Sequence, residues 1–404
     1  MARLLEDDAL TLLAQAGIQL PRWEVAASAG EAEAAAARLG GAVVLKALVP
    51  VGGRGKAGAI RMAADAAEAG AVAVPLLARR VGEFPVRRLL VMERLDIAQE
   101  QFVSLTFDPA CKAPVLLYSR AGGVEVEAHA GAAGSLVRRP IHIMRGLRPF
   151  EARDVAVDAG VQGRLIAQLG ELLPRLYQVF RGCEARLLEV NPLALTAAGE
   201  LLPAAAVIDL DEQALFRHPD LAVRLTDEEG TGLRPFTPLE RRMREIDQMD
   251  PHNGAIRFLE FPEGDIACMV TSGGAALTAL GQLMALGGRP ANAFDITAGQ
   301  HEEKMYLATR AILERPGLRG LIAGGNVKNF SRVDLQVRGI VRALHEASID
   351  PRLFPVVLRF AGPGIEAARE IAASLPGLEF YEDDTSLEGA VRRIVERTRE
   401  GATA

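Results

Sequence analysis

Cysteine is scarce in this chain. Its three copies, Cys111, Cys183 and Cys268, stand far apart and form no C-x-x-C pair. That excludes a disulfide framework and a thiolate zinc site, and predicts a reducing, cytoplasmic setting. Apolar runs stay well short of the roughly 20 residues a membrane-spanning helix needs. The opening Met1-Ala2-Arg3-Leu4-Leu5-Glu6-Asp7-Asp8 is acidic and has no apolar core, so no secretory leader is expected. Positive charge is not in excess either. The 46 Lys and Arg residues face 52 Asp and Glu, for a net charge of -6, which argues against generic nucleic-acid binding. Neither a nucleophile elbow nor an HExxH motif occurs, and His142, His218, His252, His301 and His345 form no paired ligand pattern. What remains is a chain of 404 residues, 49% hydrophobic and with 40 glycines, as expected of an α/β protein of two or three domains.

The most informative stretch is 43–62. A strand-like Val43-Val44-Leu45-Lys46-Ala47 carries one lysine. The basic, glycine-rich Gly52-Gly53-Arg54-Gly55-Lys56-Ala57-Gly58 follows, and then the strand-like Ala59-Ile60-Arg61-Met62. Bare backbone lets N–H groups close around phosphate oxygens, and Arg54 and Lys56 add charge. The loop also spells Gly53-x-Gly55-x-x-Gly58, the dinucleotide fingerprint, but that motif needs a helix directly after the glycines. A strand follows here. The better reading is a glycine flap at the tip of a β-hairpin, folded over a nucleotide triphosphate. Lys46 is hard to explain as packing in so apolar a strand.

Around this hairpin the signals alternate. Helices are expected over 4–16, from a Ser28 cap to Gly40-Gly41, and from Ala64 until Pro75 interrupts. Strands are expected at 88–93, 100–107, 115–118 and 124–127, a long helix at 160–180, and a strand at 187–190 broken by Asn191-Pro192. A charged stretch, 226–250, reads as a linker or connecting helix between domains spanning 1–225 and 251–404. Beyond it the pattern turns strictly β-α, with strands at 266–270, 293–296, 320–323, 355–358 and 379–381. Such alternation predicts a doubly wound parallel sheet that binds ligands at the C-terminal ends of its strands.

Together these residues resemble a known family. Lys46 with the 52–58 flap, Ile97-Ala98-Gln99-Glu100, Gly122-Gly123-Val124-Glu125-Val126-Glu127, Leu188-Glu189-Val190-Asn191-Pro192-Leu193 and Phe216-Arg217-His218-Pro219-Asp220-Leu221 resemble the ATP-grasp half of the succinyl-CoA synthetase β subunit. Gly287-Gly288-Arg289-Pro290-Ala291-Asn292 with Asp295 is similar to that subunit's flavodoxin-like ligase domain. Gly324-Gly325-Asn326-Val327-Lys328-Asn329-Phe330-Ser331, running into Gly339-Ile340-Val341-Arg342-Ala343, resembles ATP-citrate lyase and citryl-CoA synthetase instead. The order holds over nearly the whole chain. The resemblance implies an N-terminal ATP-grasp fold followed by a flavodoxin-like domain.

It also implies an activity: the β-type subunit of an ADP-forming carboxylic acid–CoA ligase. In such enzymes Mg-ATP phosphorylates a histidine on a partner α subunit, which also binds CoA, and the phosphoryl group then activates a di- or tricarboxylate. An αβ or α2β2-like assembly, without nucleic acid or membrane, follows from the resemblance. Lys46 and Arg54 then act on the phosphates, with Gly53, Gly55, Glu93 at the adenine hinge and Glu100 at the ribose completing the nucleotide site. Asn191 matches the family's magnesium ligand, and Glu189, two residues earlier, is expected on the same sheet face. Relatives carry a second, metal-binding aspartate where this chain reads Pro203-Ala204-Ala205-Ala206, so Asp209 is the next candidate. For the acid, Thr271, Gly273, Gly274, Gly325, Asn326, Val327, Asn329, Ser331 and Arg359 are expected to supply N–H groups, hydroxyls and a guanidinium clamp. Two departures, Phe360 after Arg359 and Thr297-Ala298-Gly299 after Asp295, point away from plain succinate. Ala128-His129-Ala130-Gly131 is similar to the α subunit's phosphohistidine segment but stands where the β subunit has no such histidine. The missing aspartate also leaves open a non-catalytic or regulatory paralogue that keeps the fold and binds nucleotide.

Overall fold

The computed structural model describes residues 2–123, 136–225, 234–250, 253–297, 299 and 302–400. The chain divides into two units, Met1–Pro235 and Phe236–Ala404. The expected strand at 124–127 and His129 lie outside the described residues.

In the first unit the flap hairpin forms as its sequence suggests. Strand Val43–Ala47 pairs antiparallel with Ile60–Ala63, and the small sheet runs in the order Trp23–Ala26, Leu89–Glu93, Val43–Ala47, Ile60–Ala63. Two helices, Ala29–Leu39 and Ala66–Leu77, cover it. Ser28 Oγ and Asp65 Oδ1 accept the N–H groups of Glu31 and Glu68, which fixes both helix starts. Their inner faces are mostly alanine (Ala32, Ala35, Ala36, Ala69 and Ala73, all buried), so helix and sheet approach closely. Pro75 does not interrupt its helix but sits inside its last turn, which runs on to Leu77.

The larger sheet of this unit runs Ala2–Arg3, Ala206–Leu210, Ala185–Thr196, Ile97–Asp108, Ala113–Ser119, Val137–Pro140, with Leu201–Pro203 also on Ala185–Thr196. The long helix Arg164–Gly182 packs Leu169, Leu173, Leu176 and Phe180 against it. That helix starts later than the sequence suggests. Gly160 and Gly163 have φ of +73° and +65°, which ends one helix, Pro149–Asp158, before the next begins.

The second unit holds the parallel sheet, in the order Ile266–Thr271, Gly320–Gly325, Val356–Arg359, Glu379–Tyr381. Helices Gly273–Ala285 and Leu387–Glu400 bury Leu283, Val391 and Ile394 on one face, while Glu302–Leu313 and Val333–Glu346 bury Met305, Ile312, Val337 and Ile340 on the other. The strand Asn292–Ile296 differs from expectation. It pairs antiparallel with Ile256–Glu260 in a two-stranded sheet, and only Pro290 bridges in parallel to Ile266. A helix, Pro238–Gln248, forms within the stretch expected as a linker or connecting helix, and it buries Met243 and Ile246 in the second unit's core. Its C-terminal end is pinned by the buried Lys304. That ammonium donates to the carbonyls of Asp247 (2.9 Å), Asp250 (2.6 Å), Asn253 (3.2 Å) and Gly254 (3.2 Å).

Candidate active site

In the first unit, Lys46 is the penultimate residue of the strand Val43–Ala47 that leads to the flap, and its side chain is buried. Its Nζ donates to Glu6 Oε1 at 2.8 Å and to the Ala204 carbonyl at 2.5 Å, with Met92 Sδ at 3.7 Å. Lys46 and Glu6 are only 6% and 4% exposed. Arg54 returns from the flap to the same carboxylate, and its Nη1 donates to the Ala47 carbonyl at 3.2 Å. The flap is wound tightly enough to bring it back, with Ala57 N bonding Gly53 O and Ala59 N bonding Arg54 O. One buried carboxylate thus holds two cations. Burial pushes the Glu6 carboxyl up, but Lys46 and Arg54 outweigh it and hold the group below its ordinary value. Burial pulls the Lys46 ammonium down, with Glu6 opposing. Chemically, this is a pair of phosphate-type ligands whose charge is balanced in advance.

Glu100, Gly123 and Asn191, distant in sequence, converge where strand Ile97–Asp108 pairs with Ala185–Thr196. The register slips between Val190 and Leu193 against Val103 and Gln101, a bulge at Asn191-Pro192 that re-aims Asn191. Its Oδ1 accepts the Gly123 N–H at 2.7 Å, and its Nδ2 donates to Gly123 O at 3.3 Å. Gly123 has φ +86°, and an added Cβ there would collide with Glu100 Oε2. Glu93 is placed differently. Its carboxylate accepts from Arg22 N and Arg22 Nε, both at 2.8 Å, and so anchors the entry to the strand Trp23–Ala26.

In the second unit, the C-terminal ends of the parallel strands border a cavity of about 360 Å³. Ser272, Gly273, Asp295, Asn326, Lys328 and Ser331 are on its wall, with Val327, Asn329, Phe330 and Gln336. Ser272 has φ +80°, an unusual backbone for a residue with a side chain, and its N–H is held by Asp295 Oδ1 at 2.6 Å. Ser331 Oγ accepts from Gly299 N at 3.3 Å. Lys328 Nζ donates to Thr271 Oγ1, and Thr271 Oγ1 donates to Gly324 O at 3.1 Å. Burial pulls the Lys328 ammonium down to about 8, against the pull of Asp295. Thr271 and Gly325 stand behind this wall. Gly274 lies one residue further into its helix, with open space where a Cβ would be.

The chain was compared with known proteins. Residues 3–195 match the family model of the ATP-grasp domain. The β subunit of ADP-forming succinate–CoA ligase from Chloroflexus aurantiacus is 37% identical over 92% of this chain and 93% of its own length. The β subunit of the GDP-forming enzyme from Thermus thermophilus is 35% identical over 95% and 96%. The chain belongs to the succinate–CoA ligase β-subunit family. Its fold extends to ATP citrate lyase from Methanothrix soehngenii, solved with citrate and coenzyme A, at a TM-score of 0.79 and 21% identity over 99% of both chains.

As a member of the succinate–CoA ligase β family, the chain has an unusual donor set where magnesium is expected. Asp209 is committed to an ion pair. Both its oxygens accept from Arg3, at 2.6 and 2.8 Å, and Glu189 adds to the field on that guanidinium. Asn191 is engaged with Gly123 on both of its amide atoms. Among the described residues no group of three His, Cys, Asp or Glu side chains is placed to hold a metal. These residues do not fit the family's two-ligand magnesium site.

Arg359 is also committed. It is buried, and its guanidinium donates to Gly325 O at 2.8 Å and Thr385 O at 2.9 Å, behind the cavity rather than on its wall. Residues that the sequence did not single out complete both sites. Glu6 reads only as an acidic first turn of a helix, and Lys328 and Gln336 read as ordinary loop and helix positions. The one available signal was that Lys328 sits inside the Gly324–Ser331 motif.

Proposed function

We propose that this chain is the nucleotide-binding, β-type subunit of an ADP-forming carboxylic acid–CoA ligase. The observation that carries the reading is Lys46. From the strand before the flap it reaches the Ala204 carbonyl of the larger sheet, which also holds Asn191, so one ammonium lies where flap and sheet meet. Triphosphate oxygens would replace Glu6 as partners of Lys46 and Arg54 and leave their charge on the β- and γ-phosphates. The γ-phosphoryl group passes to a histidine of an α-type partner and ADP departs. The phosphohistidine then gives its phosphoryl to a carboxylate oxygen of the acid, and the CoA thiol displaces phosphate from the acyl phosphate. The cavity of the second unit takes the acid, with Lys328 and the Asn326–Ser331 loop as its anion-binding wall.

Calorimetric titration with Mg-ATP and with NAD tests the first half. ATP binding that weakens at least about tenfold in Lys46→Met is expected, and absence of ATP binding overturns the reading. A second reading has its own support. The pairing of Asp209 with Arg3, beside the alanines of 204–206, favours a regulatory paralogue that binds nucleotide without turnover. Incubating the αβ complex with γ-labelled ATP separates the two: the ligase labels a histidine of the partner, the paralogue does not.

A further inference from the structure

The second unit contains a buried polar atom with nothing to bond. Gln336, on the helix Val333–Glu346, is 4% exposed, and its Oε1 has no hydrogen-bond partner among the described residues. Burying an acceptor unpaired costs a fold its full desolvation penalty, so such atoms require an explanation. Other buried acceptors lack partners too, but Gln336 is the one that lines the cavity of about 360 Å³. Among the neighbouring polar side chains, Asp295 accepts from Ser272 N–H, Ser331 accepts from Gly299 N–H, and Lys328 spends one of its N–H groups on Thr271, which leaves the others for a ligand. The wall therefore offers an ammonium for a carboxylate and, separately, one acceptor waiting for a donor.

The size of the cavity limits what that donor belongs to. Ligand pockets run from about 300 to 1,000 Å³, so this one takes a small acid rather than a nucleotide. The charge limits it further. A ligand ammonium would bring a second positive charge beside Lys328, whereas a hydroxyl donates a proton without one. We propose that Gln336 is a specificity-determining residue of the acid site: its amide oxygen accepts a hydrogen bond from a hydroxyl of the acid, so the cavity selects a hydroxycarboxylic acid over the same acid without the hydroxyl. This rests on the reading above that the cavity takes the acid. Sites built to bond a substrate hydroxyl reject the deoxy analogue strongly, because the acceptor is left stranded.

The test is calorimetry of the full chain in complex with its α-type partner. The probes are malate, succinate and aspartate, which differ only at C2, and citrate with tricarballylate, which differ by one hydroxyl. At least one hydroxy acid is expected to bind about tenfold or more tightly than its deoxy partner. Gln336→Met should remove that ratio by weakening the hydroxy acid alone. Gln336→Glu keeps an acceptor and should keep the preference at lower overall affinity; it also serves if the methionine variant fails to fold. Equal binding of both members of each pair, a ratio that survives in Gln336→Met, or aspartate binding more tightly than malate overturns the role of Gln336 and leaves the acid site standing. If ATP binds and none of the five acids does, the placement of the acid in this cavity falls, and this inference with it.

Discussion

Replacing Glu6 by glutamine removes the one carboxylate shared by Lys46 and Arg54. Breaking a buried ion pair by deleting one partner costs about 3–5 kcal/mol, because the remaining charge is left uncompensated. Here each cation keeps a carbonyl: Ala204 O for Lys46 and Ala47 O for Arg54. The loss should therefore lie at the low end, about 3 kcal/mol. For a unit of 235 residues that lowers Tm by roughly 6–12 °C. The single tryptophan, Trp23, packs against the main core of this unit, so its fluorescence follows the relevant transition. The sign of the pH dependence is also set. Burial already lowers the Lys46 pKa, so the unfolded chain binds more protons than the folded one, and stability rises with pH. The deficit of Glu6→Gln should then shrink as pH rises into the range, below the ordinary lysine range, where the buried Lys46 sheds its proton. Adding Lys46→Met should recover at least about 1 kcal/mol relative to the sum of the single variants. A Tm drop below about 2 °C, or strict additivity of the two substitutions, would refute the buried triad.

Further outcomes follow from the same kind of reasoning. Lys328 carries its proton below about pH 8 and loses it above, so carboxylate affinity should be flat below that pH and fall up to about tenfold per unit above it; titration calorimetry of Lys328→Met should show no such break. Lys304→Met strands four carbonyls at the end of Pro238–Gln248 and should cost about 2–4 kcal/mol in denaturant unfolding of the second unit. Asp209→Asn breaks a bidentate contact to Arg3 and should cost about 2 kcal/mol, read by Trp23 fluorescence during urea unfolding, while leaving nucleotide affinity within about twofold.

How much the sequence reveals depends on how far apart the partners lie. The flap hairpin is legible because its two strands and its glycines are contiguous, and the Ser28 cap is legible because capping spans three residues. Lys46 stands out as one charge in an apolar strand. Lys304 is buried just as deeply and closes a helix end, yet in sequence it follows Glu302 and Glu303 and shows no such signal. What the sequence does not disclose is pairing at long range: Glu6 lies 40 positions from Lys46, and Arg3 lies 206 from Asp209. The antiparallel pairing of Ile256–Glu260 with Asn292–Ile296 escapes for the same reason. A helix between two strands suggests a parallel crossover, and nothing local states that these two strands form a sheet of their own. The committed states of Arg359 and Asp209 depend on which backbone and side chains fold up against them, which no motif encodes.

The contact between Arg3 and Asp209 has a consequence for the making of the protein. The first strand, Ala2–Arg3, lies against Ala206–Leu210. At about 5–20 residues per second, a ribosome needs roughly 10–40 s to add the intervening 206 residues. For that time Leu4, Leu5, Leu10 and Leu13, all buried in the finished unit, wait without their final cover. These residues are thus made well before the strand that covers them, and the acidic Glu6-Asp7-Asp8 beside them keeps a long-exposed apolar segment charged while it waits.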